Sequence, residues 1–252
     1  MLSNFVRLLG IDSNIGELKE EIDNLPDIGH RDTDGLSILH WLVKIKDIPI
    51  IILEEIIDYI LLRGLSIDIT NSILETPLIQ ACRTNKEDIA FLLVKKGANI
   101  NDYDEVNDNA LLWASYHGNL NLVRMLIENG ANINHRYRDG KNALMWACKR
   151  GKHDIVNYLL QFTININDVD NQGKTAYQLC SNEDTDRVFK KWILDNKLNV
   201  LSSLKTNLCD KNLGEKQLIG IIFSYYTEPI LERIFAKQTE NRVDNGDFDS
   251  NN

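Results

Sequence analysis

The stretch HRYRDGKNALMWACKRGKHDIVNYLLQFTININ, residues 135–167, decides the fold, because its landmarks recur at a fixed step. Asn142-Ala143-Leu144 follows Asn109-Ala110-Leu111 and Thr76-Pro77-Leu78 at steps of 33 residues, and Thr175-Ala176-Tyr177 continues the series. A second set keeps the same step: Lys96-Gly97-Ala98-Asn99-Ile100-Asn101, Asn129-Gly130-Ala131-Asn132-Ile133-Asn134, then Phe162-Thr163-Ile164-Asn165-Ile166-Asn167. Two independent landmarks sharing one period mean one supersecondary unit copied along an axis. Each copy is too small to bury its own apolar face and must stack on its neighbours.

Within a unit, Thr76, Asn109 or Asn142 supplies a side-chain oxygen that caps orphan amides, and Pro77 suits a first helical turn. A short helix is therefore predicted from each, carrying Leu78, Ala81 and Cys82, then Leu111, Ala114 and Ser115, then Leu144, Ala147 and Cys148. Small residues on that face allow close approach of the neighbouring helix. A second helix follows Asn85, Gly118 or Gly151, with the stripes Ile89-Leu92-Leu93, Leu122-Val123-Leu126-Ile127 and Ile155-Val156-Leu159-Leu160 at spacings of three and four. Gly97 and Gly130 stop it; Thr163 departs from that rule. Asp139-Gly140 and Asn171-Gln172-Gly173 carry the turn chemistry of a projecting hairpin finger. Asn107 can replace the glycine, whereas Leu74 cannot do so easily, so an irregular finger is expected before Thr76.

This pattern resembles the ankyrin-repeat family over roughly residues 15–195, with 135–167 and 102–134 the closest matches. The resemblance implies an all-α solenoid of paired antiparallel helices with β-hairpin fingers, ended by a short C-terminal helical cap. Its divisions would be an N-terminal cap or half repeat at 1–31, repeats over 32–198 (32–70, 71–103, 104–136, 137–169 and 170–198), a helical segment at 199–237 and a disordered acidic tail at 238–252. The family's histidine after Thr-Pro-Leu survives only as His40; Ile79, Leu112, Met145 and Gln178 replace it. That puts the family's side-chain hydrogen-bond network in doubt without threatening the fold.

Outward from the repeats, Leu18, Ile22 and Leu25 give residues 15–31 the apolar face of a second helix, a half unit that caps the stack. Phe5, Leu8 and Leu9 suggest a further helix over the open end. The step from Ser37 to Thr76 is 39, and its six extra residues fall between Lys44 and Ile56. There Ile48-Pro49-Ile50-Ile51-Ile52-Leu53 reads either as an exposed patch for a partner or, preferred, as an extra buried turn of a helix that starts near Pro49 and ends at Gly64. Val188, Phe189, Trp192 and Ile193 mark the second helix of a last copy after a ragged polar segment, Ser181 to Thr185, and the period is lost from Lys197. Leu198, Leu201, Leu204 and Leu208 suggest a separate helix, and Asn212 with Glu215 a capping box opening another.

The chain has 252 residues, 43% hydrophobic and 26% charged, as expected of a soluble globular protein. No secretory signal or membrane span is evident, and Cys82, Cys148, Cys180 and Cys209 lack metal-like spacing, so reduced, packed cysteines in an intracellular, cytoplasmic or nuclear monomer are expected. The five histidines stand one at a time, and no phosphate-cradling glycine loop or nucleophile elbow occurs. No catalytic role, cofactor or metal is therefore assigned. A net charge of -9 disfavours non-specific nucleic-acid binding.

Family members most often hold partners on finger tips and first-helix ends along the concave side. Carried over by position, the finger and helix of one copy contribute Tyr103, Glu105, Val106, Asp108, Tyr116 and His117. The next contributes Arg136, Arg138, Asp139, Lys141, Lys149 and Arg150. Opposite charges on neighbouring fingers could instead pair with one another. Trp41, Trp113 and Trp146 share one position and read mainly as packing between repeats. The implied function is non-enzymatic binding of a partner protein, not a nucleic acid or membrane. The alternative is an adaptor that recruits a ubiquitin ligase through Leu213-Gly214-Glu215 and Ile221 to Tyr226, a segment similar to a degenerate F-box.

Overall fold

The computed structural model describes residues 15–208 except 26, 46, 47, 163–165 and 167, with side chains as far as Asn196. Along the chain run α1 (Ile15–Asp23), α2 (Ile38–Lys44), α3 (Ile50–Leu62), α4 (Pro77–Arg83), α5 (Glu87–Lys95), α6 (Ala110–His117), α7 (Leu120–Glu128), α8 (Ala143–Lys149), α9 (His153–Leu159) and α10 (Glu183–Leu208). A single 3-10 turn, Tyr177–Leu179, stands where the last copy would have its first helix. The first helices α2, α4, α6 and α8 stack in one layer that ends on this turn, and α1, α3, α5, α7, α9 and α10 stack in the second.

Each first helix begins where a side-chain oxygen meets an orphan amide. Thr76 Oγ1 accepts from Ile79 N at 3.3 Å, Asn109 Oδ1 from Leu112 N at 3.0 Å, and Asn142 Oδ1 from Met145 N at 3.0 Å. Ala81, Ala114 and Ala147 are fully buried between the layers, and one continuous core joins all copies. The second helices end as predicted, with Gly64, Gly97 and Gly130 at φ near +90°. Beyond each glycine the next amide reaches back to a carbonyl five residues earlier: Leu65 to Ile60, Ala98 to Leu93, Ala131 to Leu126.

His40 makes a side-chain hydrogen-bond network of its own. Its Nε2 lies 2.8 Å from the Glu75 carbonyl, which can only accept, so the ring proton sits on Nε2. Nδ1 then accepts the Ser37 amide at 3.3 Å and lies 2.8 Å from the Ser37 hydroxyl. Burial pushes the His40 pKa down, so the ring stays neutral and ties α2 to the next copy.

Several expectations are corrected. The fingers are turns rather than hairpins, since among the described residues the only pairings outside the helices are single bridges, Tyr103 with Asn109 and Val169 with Thr175. The finger before Thr76 is regular, because Leu74 takes the left-handed conformation (φ 59°) that Asn107 takes at φ 67° and Gly140 at φ 76°. The apolar run 48–53 divides: Leu53 is buried and Ile48 and Ile52 pack on the core, but Ile50 is 42% and Ile51 77% exposed. A helical turn points successive side chains around its whole circumference, so consecutive isoleucines cannot all face inward. Asn182 caps α10 by accepting Thr185 N at 2.9 Å, with Thr185 buried, so the segment thought ragged is an ordered helix start. The helix then passes Lys197 without a break and reaches Leu208. The capping box at Asn212 and the segment from Leu213 to Tyr226 lie outside the described residues.

Two outcomes follow. Leu74 is 54% exposed, so it loses little burial on replacement, while an L-residue in the left-handed region costs about 1–2 kcal/mol and asparagine tolerates it. Leu74→Asn should raise the melting temperature by about 2–4 °C in thermal unfolding. For His40 the folded pKa is below the unfolded one, so only the unfolded chain takes up a proton near pH 6.5; stability is full above that and falls as pH drops through it. His40→Gln should therefore be less stable than the parent at pH 7.5, with the gap in urea-derived stability shrinking at pH 5.5.

Candidate functional site

The fingers share one construction. Asp32, Asn71, Asp104 and Asp170 each turn a side-chain oxygen onto the amides two and four residues ahead, at 2.8–3.0 Å. Each finger is closed by the amide of that residue donating to the carbonyl four ahead. Tyr137 holds the place in the fourth finger; it keeps the backbone bond, its buried hydroxyl donates to Asn109 Oδ1 at 3.1 Å, and Asp139 Oδ1 receives Lys141 N. Adjacent fingers are joined by backbone bonds from Ser72 to Asp34, Glu105 to Ile73 and Asn171 to Asp139.

On this frame the sequence-predicted residues separate into three groups. In the first, finger charges pair with one another. Lys141 is 4% exposed, its ammonium 2.9 Å from Asp139 and 3.0 Å from Asp170. Burial opposes both charges, but the carboxylates hold the Lys141 pKa up, while the Lys174 and Gln172 amides and Lys141 hold Asp170 down. Arg136 pairs with Asp168 at 3.5 Å and donates to the Val169 carbonyl. Lys141 thus has little left to offer a partner. In the second group, Tyr103, 57% exposed, stacks on His135 with ring centres 5.8 Å apart, beside exposed Glu105 and half-buried Val106. Arg138 is exposed with no side-chain partner among the described residues. Asp108, half-buried, is pushed up to about 6 by burial and then by the charges of Asp104 and Asp139.

The third group is a continuous patch on the first helices. Tyr116 lies between Trp113 and Trp146, 5.7 Å from each ring, and so bridges α6 and α8. His117 stacks on Trp113 at 6.4 Å and its Nε2 bonds the Arg83 carbonyl at 2.8 Å, reaching α4. The Arg150 guanidinium lies 3.8 Å above the Tyr116 ring, and the Lys149 ammonium 4.6 Å above Trp146. Trp113, Tyr116, His117 and Trp146 are half-buried, whereas Lys149 and Arg150 are exposed. Trp113 and Trp146 pack against Tyr116 within and between copies, as read from the sequence. They form the floor of the patch, and the signal for it was present, since Tyr116 stands three residues from Trp113 on one helix face and Trp146 follows one period later.

Among the described residues no three His, Cys, Asp or Glu side chains are grouped to hold a metal ion, and no helix is long and apolar enough to cross a membrane.

Stacked helix pairs with clamped turns projecting from one end define a repeat solenoid whose exposed features lie on fingers and first helices. A family model described as ankyrin repeats (3 copies) matches residues 53–137 and 111–201, together more than half of the chain. The chain belongs to the ankyrin-repeat family. No curated protein matches it. Ankyrin repeats generally mediate protein–protein interaction, and the family is typically a non-enzymatic scaffold.

Asp108 supplies a test of the finger electrostatics. Its folded pKa, about 6, exceeds the unfolded value near 3.8, so the stability it contributes is present below the unfolded value and lost as pH rises through about 6. Asp108→Asn should melt higher than the parent at pH 7.5, with the advantage gone at pH 4, in thermal unfolding followed by circular dichroism.

Proposed function

We propose that the chain is a non-enzymatic scaffold that holds a partner protein on its concave side, the face made by fingers and first helices. The observation that carries this reading is the ring series Trp113–Tyr116–Trp146, half-exposed across two copies and covered by Arg150 and Lys149. Aromatic and arginine side chains dominate binding energy at protein interfaces, and here they form one patch rather than scattered contacts. The frame below it is rigid. Fingers closed by side-chain clamps and joined by backbone bonds lose little freedom when a partner arrives, so less of the contact energy is spent on ordering. Cys82 and Cys148, buried and free, with Cys180 half-buried and free, suit a reducing compartment such as the cytoplasm or nucleus.

The test is site-specific photo-crosslinking in cells. A benzophenone amino acid replaces Tyr103 on the finger face or Asn121 on the exposed side of α7. Covalent products are expected from position 103 and not from 121. Products from 121 alone would move the site to the second-helix layer and overturn the reading.

A further inference from the structure

We propose that the partner presents an acidic peptide segment with an aromatic residue set among its carboxylates. This rests on the face assigned above and adds what chemistry that face selects.

Acidic residues outnumber basic ones 37 to 28 in the chain, yet segments 37–44, 76–86, 109–127 and 140–153, which hold the four first helices, contain no Asp or Glu. Their cations are not equally free. Arg83 is gripped by buried Glu75 through two bonds of 2.5 and 3.2 Å, and Lys141 lies between Asp139 and Asp170. Lys44, Lys149 and Arg150 have no carboxylate partner among the described residues. Each lies on a ring instead: Lys44 at 4.8 Å over Trp41, Lys149 at 4.6 Å over Trp146, Arg150 at 3.8 Å over Tyr116.

A ring attracts a cation through its quadrupole but does not neutralise it. A guanidinium held over Tyr116 by its central carbon still has N–H groups able to grip a carboxylate with two parallel bonds. A basic residue at a helix C-terminus could merely answer the helix dipole. Arg150, however, reaches from the end of α8 to a ring on α6. Un-neutralised charge beside half-exposed rings fits a segment with both features, carboxylates for Lys149 and Arg150 and an aromatic side chain for Tyr116 and Trp146. The fingers carry both signs, with Glu105 and Asp108 near exposed Arg138, whereas the helix ends carry only the unpaired Lys149 and Arg150, so the segment's charge belongs at the helix ends.

The experiment titrates the full chain with three synthetic peptides: one containing Glu-Asp-Phe-Asp-Glu, one with every acid changed to its amide, and one with Phe changed to Ala. Binding is read by tryptophan fluorescence and calorimetry at low and high NaCl. The acidic aromatic peptide is expected to bind about tenfold or more tightly than the amide peptide and several-fold more tightly than the Ala peptide. Its affinity should fall several-fold at high salt. Lys149→Gln with Arg150→Gln, both exposed and outside the core, should weaken it about tenfold with the melting temperature unchanged; Arg124→Gln on the second-helix face should leave it unchanged. Equal binding of acid and amide peptides, or no loss in the double variant, would overturn the proposal. So would binding that appears only after residues 238–252, with Asp247-Phe248-Asp249, are removed, since the occupant would then be the chain's own end. A partner segment crosslinked at position 103 that lacks clustered carboxylates would sink this inference alone. Failure of position 103 to crosslink, with products at 121, would take the face with it.

Discussion

The structure depends on a side-chain oxygen that accepts two backbone amides in four of its five fingers. A turn without a sheet ladder leaves its amides to find other partners, and a buried amide without one costs about 1–3 kcal/mol. Asp32, Asn71, Asp104 and Asp170 meet that need from within the turn. The clamp also fixes the left-handed residue three positions on, which carries the chain round, while the residues one and two positions on give an amide or a carbonyl to a neighbouring finger. Finger spacing is set in this way, and with it the spacing of the first helices that begin a few residues later. The rows of rings on α6 and α8 meet through Tyr116 because the copies are held at that distance.

Much of this frame was legible in the sequence. The 33-residue step, the capping Thr and Asn residues and the closing glycines each have a local physical cause, and each stands where the sequence placed it. What was not legible needed a balance between local preference and neighbours. Leu74 is strained by itself, but Asn71 clamping both sides of it and the Ile73 carbonyl accepting the Glu105 amide impose the conformation. Lys197 lies where the repeat period ends, but losing a packing period does not stop a helix, and α10 continues.

The site was legible as residues and not as groups. Lys141, Arg136, Lys149 and Arg150 look alike in the sequence, a run of cations within 15 positions. Structure divides them by what lies one copy away. Asp170 is 29 residues beyond Lys141 and Asp168 is 32 beyond Arg136, so these cations are answered. Lys149 and Arg150 stand one step before Asn182 and Glu183, and among the described residues neither is paired with a carboxylate. In a repeat protein, therefore, whether a cation is answered depends on which residues of the next copy come within reach of it, not on the charges beside it in the chain.

The row of finger clamps is interrupted once, at Tyr137, where a phenol ring replaces the carboxylate or amide used in the other four. That finger is closed partly by burial of the ring, with Tyr137 4% exposed, rather than by a second accepted amide. Apolar burial weakens on cooling. The solenoid therefore carries an internal thermal asymmetry: its fourth finger sets a buried ring, whose contribution shrinks on cooling, where the other four set an accepted amide.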